Sequence, residues 1–331
     1  MPCYNAEDTV DKAVQSILQQ SLERLELILV DDGSRDDTAA KLADWASSDR
    51  RVRVIARSHE GILGALNAGL SHCQAPYVAR MDADDLAHPE RLARQVETLD
   101  AHPDLAVVGS LVEGFPQEDV REGFRIYLDW LNRLVTHDAI VREIFIESPL
   151  AHPSVCMRRR WLERVGGYQD HGWPEDYDLW LRLYLAGARF AKVPEVLLYW
   201  REHPQRLTRQ DSRYAVEQFL RAKAHYLARG PLSGGAGVIL WGAGQMGRRL
   251  SKHLLLEGVP ILAFVDVDEK KIGRTRHGKM IHPPESLREL LQAHPGAKVL
   301  AAVRSRGARA LIRERLLNLG LREGRDWWAV A

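Results

Sequence analysis

The sequence predicts an α/β protein, a mostly parallel sheet flanked by helices, followed by a second and smaller α/β unit. Three observations predict it. Apolar runs of strand length alternate with runs of helical period over the first 110 residues. Two acidic clusters, Asp31-Asp32 and Asp82-Ala83-Asp84-Asp85, directly follow such strand runs, where parallel α/β sheets bind ligands. A Gly-rich stretch at residues 230–235 is followed by a fresh strand, a Gly-rich turn and a helix.

Each element has its own signal. From Glu7 to Gln20 the apolar residues Val10, Val14, Ile17 and Leu18 recur at helical spacing, with Asn5 as a cap. Leu25 to Val30 is an apolar strand. Thr38–Ser47 reads as a helix, Val52–Ala56 as a strand and Ile62–Cys73 as a helix. Tyr77–Met81 is a strand, Pro89–Leu99 a helix and Ala106–Gly109 a strand. Residues 120 to 203 are less regular, with helical patterns at Tyr127–Val135 and Asp178–Ala186, and Asp211–Arg229 reads as one long helix. Past the linker come strand Val238–Trp241, helix Gly247–Leu256 and strand Ile261–Val265. Strand Val299–Val303, helix Gly307–Leu319 and strand Trp327–Val330 close the series. The expected domains are therefore 1–230 and 231–331, without an internal repeat.

Composition narrows the function classes. With 331 residues and 45% hydrophobic content the chain can bury two cores. The longest apolar run, Leu254 to Val265, is short and interrupted by Glu257, so no membrane span is expected. There is no basic leader or apolar signal core. Three scattered cysteines, Cys3, Cys73 and Cys156, fit a reducing cytoplasm. The formal net charge of +1 hides an asymmetry: Lys+Arg outnumber Asp+Glu by 17 to 9 from Pro231 onward and fall short by 29 to 36 before it. Nothing reads as a nucleic-acid interface: the basic residues lack interleaved aromatics, and no zinc-finger or helix-turn-helix pattern occurs.

An Asp-x-Asp at a strand end can hold a hard cation, which wants one or two carboxylates and stabilises a departing diphosphate. Alone the triplet is also an ordinary solvated turn. Its company is more specific. The chain carries, in order, Pro2-Cys3-Tyr4-Asn5, Val30-Asp31-Asp32-Gly33-Ser34, Ala65-Leu66-Asn67-Ala68-Gly69-Leu70 and Ala79-Arg80-Met81-Asp82-Ala83-Asp84-Asp85. His152-Pro153-Ser154, Gly166-Gly167-Tyr168, Glu175-Asp176-Tyr177-Asp178-Leu179-Trp180 and Arg201-Glu202-His203 follow. In this it resembles the family 2 glycosyltransferases of GT-A fold over residues 1 to about 205.

The resemblance implies an inverting, metal-dependent transfer of a sugar from a nucleotide-sugar donor, a UDP-sugar first of all, to a glycan or lipid-linked hydroxyl acceptor. Pro2, Tyr4 and Asp32 would line the base pocket, with Asp32 accepting the imide hydrogen of a uracil-type base. Asp82 would lie near the ribose, Asp84 would hold Mn²⁺ or Mg²⁺, and Asp85 would share either duty. Asp176 would be the general base, and one base without a second, closer carboxylate means a single inverting displacement. His203 matches a position that reaches the metal or diphosphate in some relatives, and a structural role for it stays open. So does one for His152. Trp180 and Trp200 read as core, while Trp173 is a candidate for stacking on a sugar ring. The resemblance also implies an apolar strand ahead of Pro2, of which this sequence carries Met1.

In the second unit Gly242-Ala243-Gly244-Gln245-Met246-Gly247 stands between a strand and a helix, and Asp266 ends the next strand. This is the dinucleotide-binding spacing. The run Phe264-Val265-Asp266-Val267-Asp268 with Lys270-Lys271-Ile272-Gly273 is similar to the small Rossmann-like domain of bacterial sugar acetyltransferases, which implies a nucleotide-sugar at Gly242, Gly244, Gly247 and Asp266 in place of NAD. A docking role for this unit is the remaining reading. Arg304, Arg306, Arg309, Arg313 and Arg315 form a basic group, either a solvated face or a patch for an anionic membrane. The expected location is cytoplasmic, peripheral at the inner face of the membrane. A non-catalytic nucleotide-sugar-binding regulator and an NAD-dependent sugar oxidoreductase are the alternatives.

Overall fold

Strand Leu27–Asp31 is buried along its whole length, as its unbroken Leu-Ile-Leu-Val run requires of a strand covered on both faces. In the computed structural model, which describes residues 1–305 and 307–331, it is the middle of a parallel three-stranded sheet. Pro2–Cys3 pairs with Val30 and Asp31 on one side, and Val52–Ala56 runs parallel on the other. Helices Val10–Leu18, Thr38–Ser48 and Gly61–His72 supply the apolar cover expected from their periodicity.

Contacts divide the chain into two units. The first comprises 1–140, 149–171 and 178–210, and the second comprises 141–148, 172–177 and 211–331. The helix Val216–Arg229, placed by the sequence reading with the first domain, groups with the second unit. The physical reason is Lys223, whose ammonium is buried and donates to Ile146 O at 2.6 Å and Val330 O at 3.2 Å. The long helix expected from Asp211 is broken. Ser212–Tyr214 forms a 3₁₀ turn capped by the Asp211 side chain, and the α-helix begins at Val216.

Beside its parallel sheet the first unit holds a mixed five-stranded sheet, in the order Tyr77–Ala79, Cys156–Arg158, Leu105–Phe115, Arg189–Arg201, Leu86–Ala87. Its spine is the parallel pairing of Leu105–Phe115 with Arg189–Arg201, a strand that the sequence pattern did not announce. Leu86–Ala87 pairs antiparallel with Tyr199 and Leu198, which draws the chain just after Asp82-Ala83-Asp84-Asp85 onto the end of that strand.

The second unit has a six-stranded sheet in the order Thr275–Arg276, Lys279–His282, Ile261–Val265, Val238–Trp241, Lys298–Ala301, Trp327–Ala329. All neighbours are parallel except the first hairpin. The five parallel strands run third-second-first-fourth-fifth, the doubly wound order whose direction reverses beside Val238–Trp241. Among the described residues no helix is long and apolar enough to cross a membrane.

Candidate active site

The acidic cluster is assembled by the two strands that meet behind it. Asp82, Asp84 and Asp85 each present a carboxylate oxygen within 4.8 Å of the others. Arg80, itself buried, forms an ion pair with Asp82. Arg201, the last residue of strand Arg189–Arg201, donates its backbone N–H to Asp85 Oδ1 at 2.8 Å and its Nε–H to the Asp84 carbonyl at 2.7 Å. His203 Nε2 lies 3.0 Å from Asp84 Oδ2, and that hydrogen bond raises the imidazole pKa above its usual value.

Asp85 is the unusual member. It is 1% exposed, and its Oδ2 has no hydrogen-bond partner among the described residues. Burial, then the charges of Asp82 and Asp84, push its carboxyl well above the ordinary carboxylate range. A buried acceptor without a donor, facing two further carboxylates, is what a hard cation corrects. The residues present therefore fit Mn²⁺ or Mg²⁺.

The other acidic strand end is built differently. Asp31 Oδ1 accepts from Ser34 N at 3.1 Å and Ser34 Oγ at 2.5 Å, closing the turn at Gly33, where φ is +75°. Asp32 is 3% exposed and accepts from the backbone N–H groups of Glu60 at 3.1 Å and Gly61 at 2.8 Å, the start of helix Gly61–His72. His59 Nδ1 is 2.9 Å from Asp32 Oδ2. The His59 ring stacks on Tyr4 with centroids 4.1 Å apart and planes at 23°. Pro2 lies two residues from this stack, in its short strand.

Asp176 and its neighbour Glu175 open helix Glu175–Leu185 and belong to the second unit. Glu175 is buried and accepts from Tyr214 Oη at 2.8 Å. Asp176 is half-buried, accepting from Ser148 Oγ at 3.2 Å and from Tyr177 N at 2.7 Å. Of the two carboxylates only Asp176 is open to solvent. Trp173 is buried against His225 and Tyr226, so it is not an exposed sugar platform; Trp180 is fully buried, as expected. His152 is buried too, 2.8 Å from Tyr168 Oη, and burial drives its pKa well below the usual value.

In the second unit a cavity of about 860 Å³ opens where the strand order reverses, lined by Trp241 and Gly242 on one strand end and Ala302 and Val303 on the other. Gly242 has φ +116°. A Cβ on Gly247 would come 1.8 Å from the Gly242 carbonyl, so helix Gln245–Leu256 approaches the strand as closely as only glycine permits. Asp266 is committed within the protein: it accepts from Ala243 N at 2.8 Å, Asp268 N at 3.0 Å and Lys271 Nζ at 3.2 Å. Arg309 and Arg313 pair with Glu143, and Arg315 with Glu285. Arg306 lies outside the described residues.

The structure thus brings Asp82, Asp84, Asp85 and His203 together, and Tyr4 with Asp32, while Asp176 stands in the other unit. Sequence reasoning missed Arg80, Arg201 and His59. Arg80 carried a signal, since a cation two residues ahead of an acidic triplet faces the same side of an extended strand. Arg201 stood in the Arg201-Glu202-His203 match without a role of its own, and His59 carried no signal; their partners are 116 and 27 residues distant.

The Glycosyl transferase family 2 profile matches residues 1–166. The chain is 32% identical over 198 residues to the amylovoran biosynthesis glycosyltransferase AmsE of Erwinia amylovora, covering 59% of this chain and 72% of that one. It is 25% identical over 219 residues to the UDP-Gal:alpha-D-GlcNAc-diphosphoundecaprenol beta-1,3-galactosyltransferase of Escherichia coli, covering 66% and 77%. The solved structure of S. aureus TarS 1-349 in complex with UDP-GlcNAc is similar in fold, with a TM-score of 0.57 at 17% identity over 76% of this chain and 70% of that one. The expected GT-A architecture agrees with this likeness. On the family profile and the extent of the match to AmsE, the chain belongs to glycosyl transferase family 2.

Proposed function

We propose that the chain transfers a sugar from a UDP-sugar to a hydroxyl of a glycan or lipid-linked acceptor, with inversion, on the cytoplasmic side of the membrane. The observation that carries the reading is the unpartnered Asp85 Oδ2 among three converging carboxylates. Asp84, with Asp82 and Asp85, would hold Mn²⁺ or Mg²⁺, which supplies charge neutralisation for the departing diphosphate. Arg201 fixes the cluster by clamping both Asp84 and Asp85. His203, whose pKa the Asp84 hydrogen bond raises, places an imidazole beside the same cluster. Asp176 takes the acceptor proton, because it is the solvent-reachable carboxylate of its pair. A donor panel of UDP-, GDP- and dTDP-sugars, scored for transfer with and without Mn²⁺, tests the reading; absence of transfer from all of them overturns it. A lipid-linked acceptor would bring the chain to the inner face of the membrane, which cosedimentation with anionic vesicles tests.

A second binding reaction is inferred for the other unit: a phosphate-bearing ligand of nucleotide or nucleotide-sugar size in the 860 Å³ cavity, with its phosphate at the loop Gly242–Gly244. The supporting observation is the cavity's position at the switch point of the sheet. Asp266 already accepts from Ala243, Asp268 and Lys271, so it holds the loop Gly242–Gly244 in place beside the cavity. Calorimetry on the Asp84→Asn variant separates the sites: residual UDP-sugar binding with one site per chain is expected. Saturable NADH binding instead would favour the oxidoreductase reading.

A further inference from the structure

His59 does for the Tyr4–Asp32 pair what a nucleobase would do. It sits on the loop between strand Val52–Ala56 and helix Gly61–His72. Its ring lies flat on Tyr4 at stacking distance, 4.1 Å between centroids. Its Nδ1 is 2.9 Å from Asp32 Oδ2 and 3.1 Å from the Asp32 carbonyl oxygen. Both oxygens are acceptors, so Nδ1 carries the hydrogen, donating it to the Asp32 carbonyl oxygen at ion-pair distance from the carboxylate. Two other positions on the Asp32 carboxylate are taken by Glu60 and Gly61 backbone N–H groups, which belong to the helix start and cannot leave. The His59 side chain is 51% exposed and can.

We propose that His59 is a stand-in for the donor's base, displaced when the nucleotide binds, and that the exchange selects bases presenting a ring N–H to Asp32. This rests on the UDP-sugar reading proposed above, with Tyr4 and Asp32 as the base pocket that the family resemblance implies. A base that takes over both contacts must offer a π-face to Tyr4 and a ring N–H to a buried carboxylate. Uracil, thymine and guanine have such an edge. Cytosine and adenine present a ring nitrogen lone pair there, which would face the Asp32 carboxylate acceptor to acceptor. His59 also solves a problem of the free protein, in which a buried carboxylate position and the Tyr4 face would otherwise be left to water. Its displacement lowers the apparent affinity by the fraction of molecules with the pocket open.

The test is calorimetric titration of the full chain with UDP, with and without Mn²⁺, comparing the Mn²⁺-dependent site of wild type with that of His59→Ala and His59→Phe. His59→Ala removes the competitor and should bind UDP about 3–10-fold more tightly. His59→Phe keeps the stack without the donor and should fall between. CDP should bind at least about tenfold more weakly than UDP to all three. The His59 ring resonances, shifted by Tyr4 in the free protein, should move to the values of an exposed histidine at saturating UDP. Equal or weaker UDP binding by His59→Ala, or His59 resonances unmoved by saturating UDP, overturns the proposal while leaving the pocket. Failure of UDP, dTDP and GDP to bind any variant overturns the pocket itself, and the stand-in with it.

Discussion

The two acidic strand ends of the first unit look alike as sequence and differ as chemistry. Asp31 and Asp32 are spent on protein donors: Ser34 closes the turn and Glu60 with Gly61 start a helix. Asp82, Asp84 and Asp85 crowd one another, and one oxygen of Asp85 finds no donor among the described residues. An acidic cluster therefore declares its role through the count of donors that reach it, not through its charge. At the head of helix Glu175–Leu185 exposure separates the pair instead: Glu175 is buried on Tyr214, while Asp176, which accepts from Ser148 and Tyr177, is half open to solvent.

That distinction can be broken most severely at Asp176. Asp176→Asn keeps the side chain's shape and removes its basicity, so kcat should fall about 10²-fold or more with UDP affinity unchanged. Glu175→Gln, which retains an acceptor for Tyr214, should leave most of the turnover. If the two variants exchanged these results, the base would have to be reassigned. At the crowded cluster, Asp84→Asn should weaken Mn²⁺-dependent UDP binding at least about tenfold while the metal-free melting temperature holds or rises, since a repelling charge is gone. A variant that binds UDP and Mn²⁺ normally would contradict the cation assignment.

Asp32→Ala should lower stability as well as UDP affinity. It strands the Glu60 and Gly61 N–H groups, costing about 1–3 kcal/mol by denaturant unfolding, with or without metal. A loss that appeared only with Mn²⁺ would erase the difference between the clusters.

The remaining effect is read as a dependence on pH and concerns a buried cation. Lys192 donates to Leu131 O at 2.6 Å, and burial lowers its pKa from 10.5 to about 7. Between those values the unfolded chain binds a proton that the native protein does not. Stability contributed at this site therefore rises with pH above about 7 and is lost as pH falls through it. Relative to Lys192→Met, the wild type should gain unfolding free energy between pH 7 and 10. A pH-independent difference would mean that the ammonium stays charged in the fold.

Much of the fold was legible because burial wrote it in apolar runs. Val52–Ala56, Val238–Trp241 and Ile261–Val265 match their expected bounds, and the helix at Thr38 differs by one residue. Strand Arg189–Arg201 was not legible, since Lys192, Pro194 and Glu195 interrupt its pattern and its place comes from pairing with Leu105–Phe115. Likewise the aspartates of the site could be read from their strand-end positions, whereas Arg201 and His59 acquire their roles only when distant segments meet.

The threading of the second unit has a consequence for the order of synthesis. Residues 141–148 and 172–177 leave the ribosome early, and their partners come late. Glu143 waits for Arg309 and Arg313, and Ile146 shares Lys223 with Val330. Tyr177, next to Asp176, hangs on Ile144 in the same early segment. At about 5–20 residues per second, more than a hundred residues must be added before that segment is locked, a delay of several seconds to tens of seconds. On the proposed assignment of Asp176 as base, a nascent chain would have its acidic cluster long before that base was set.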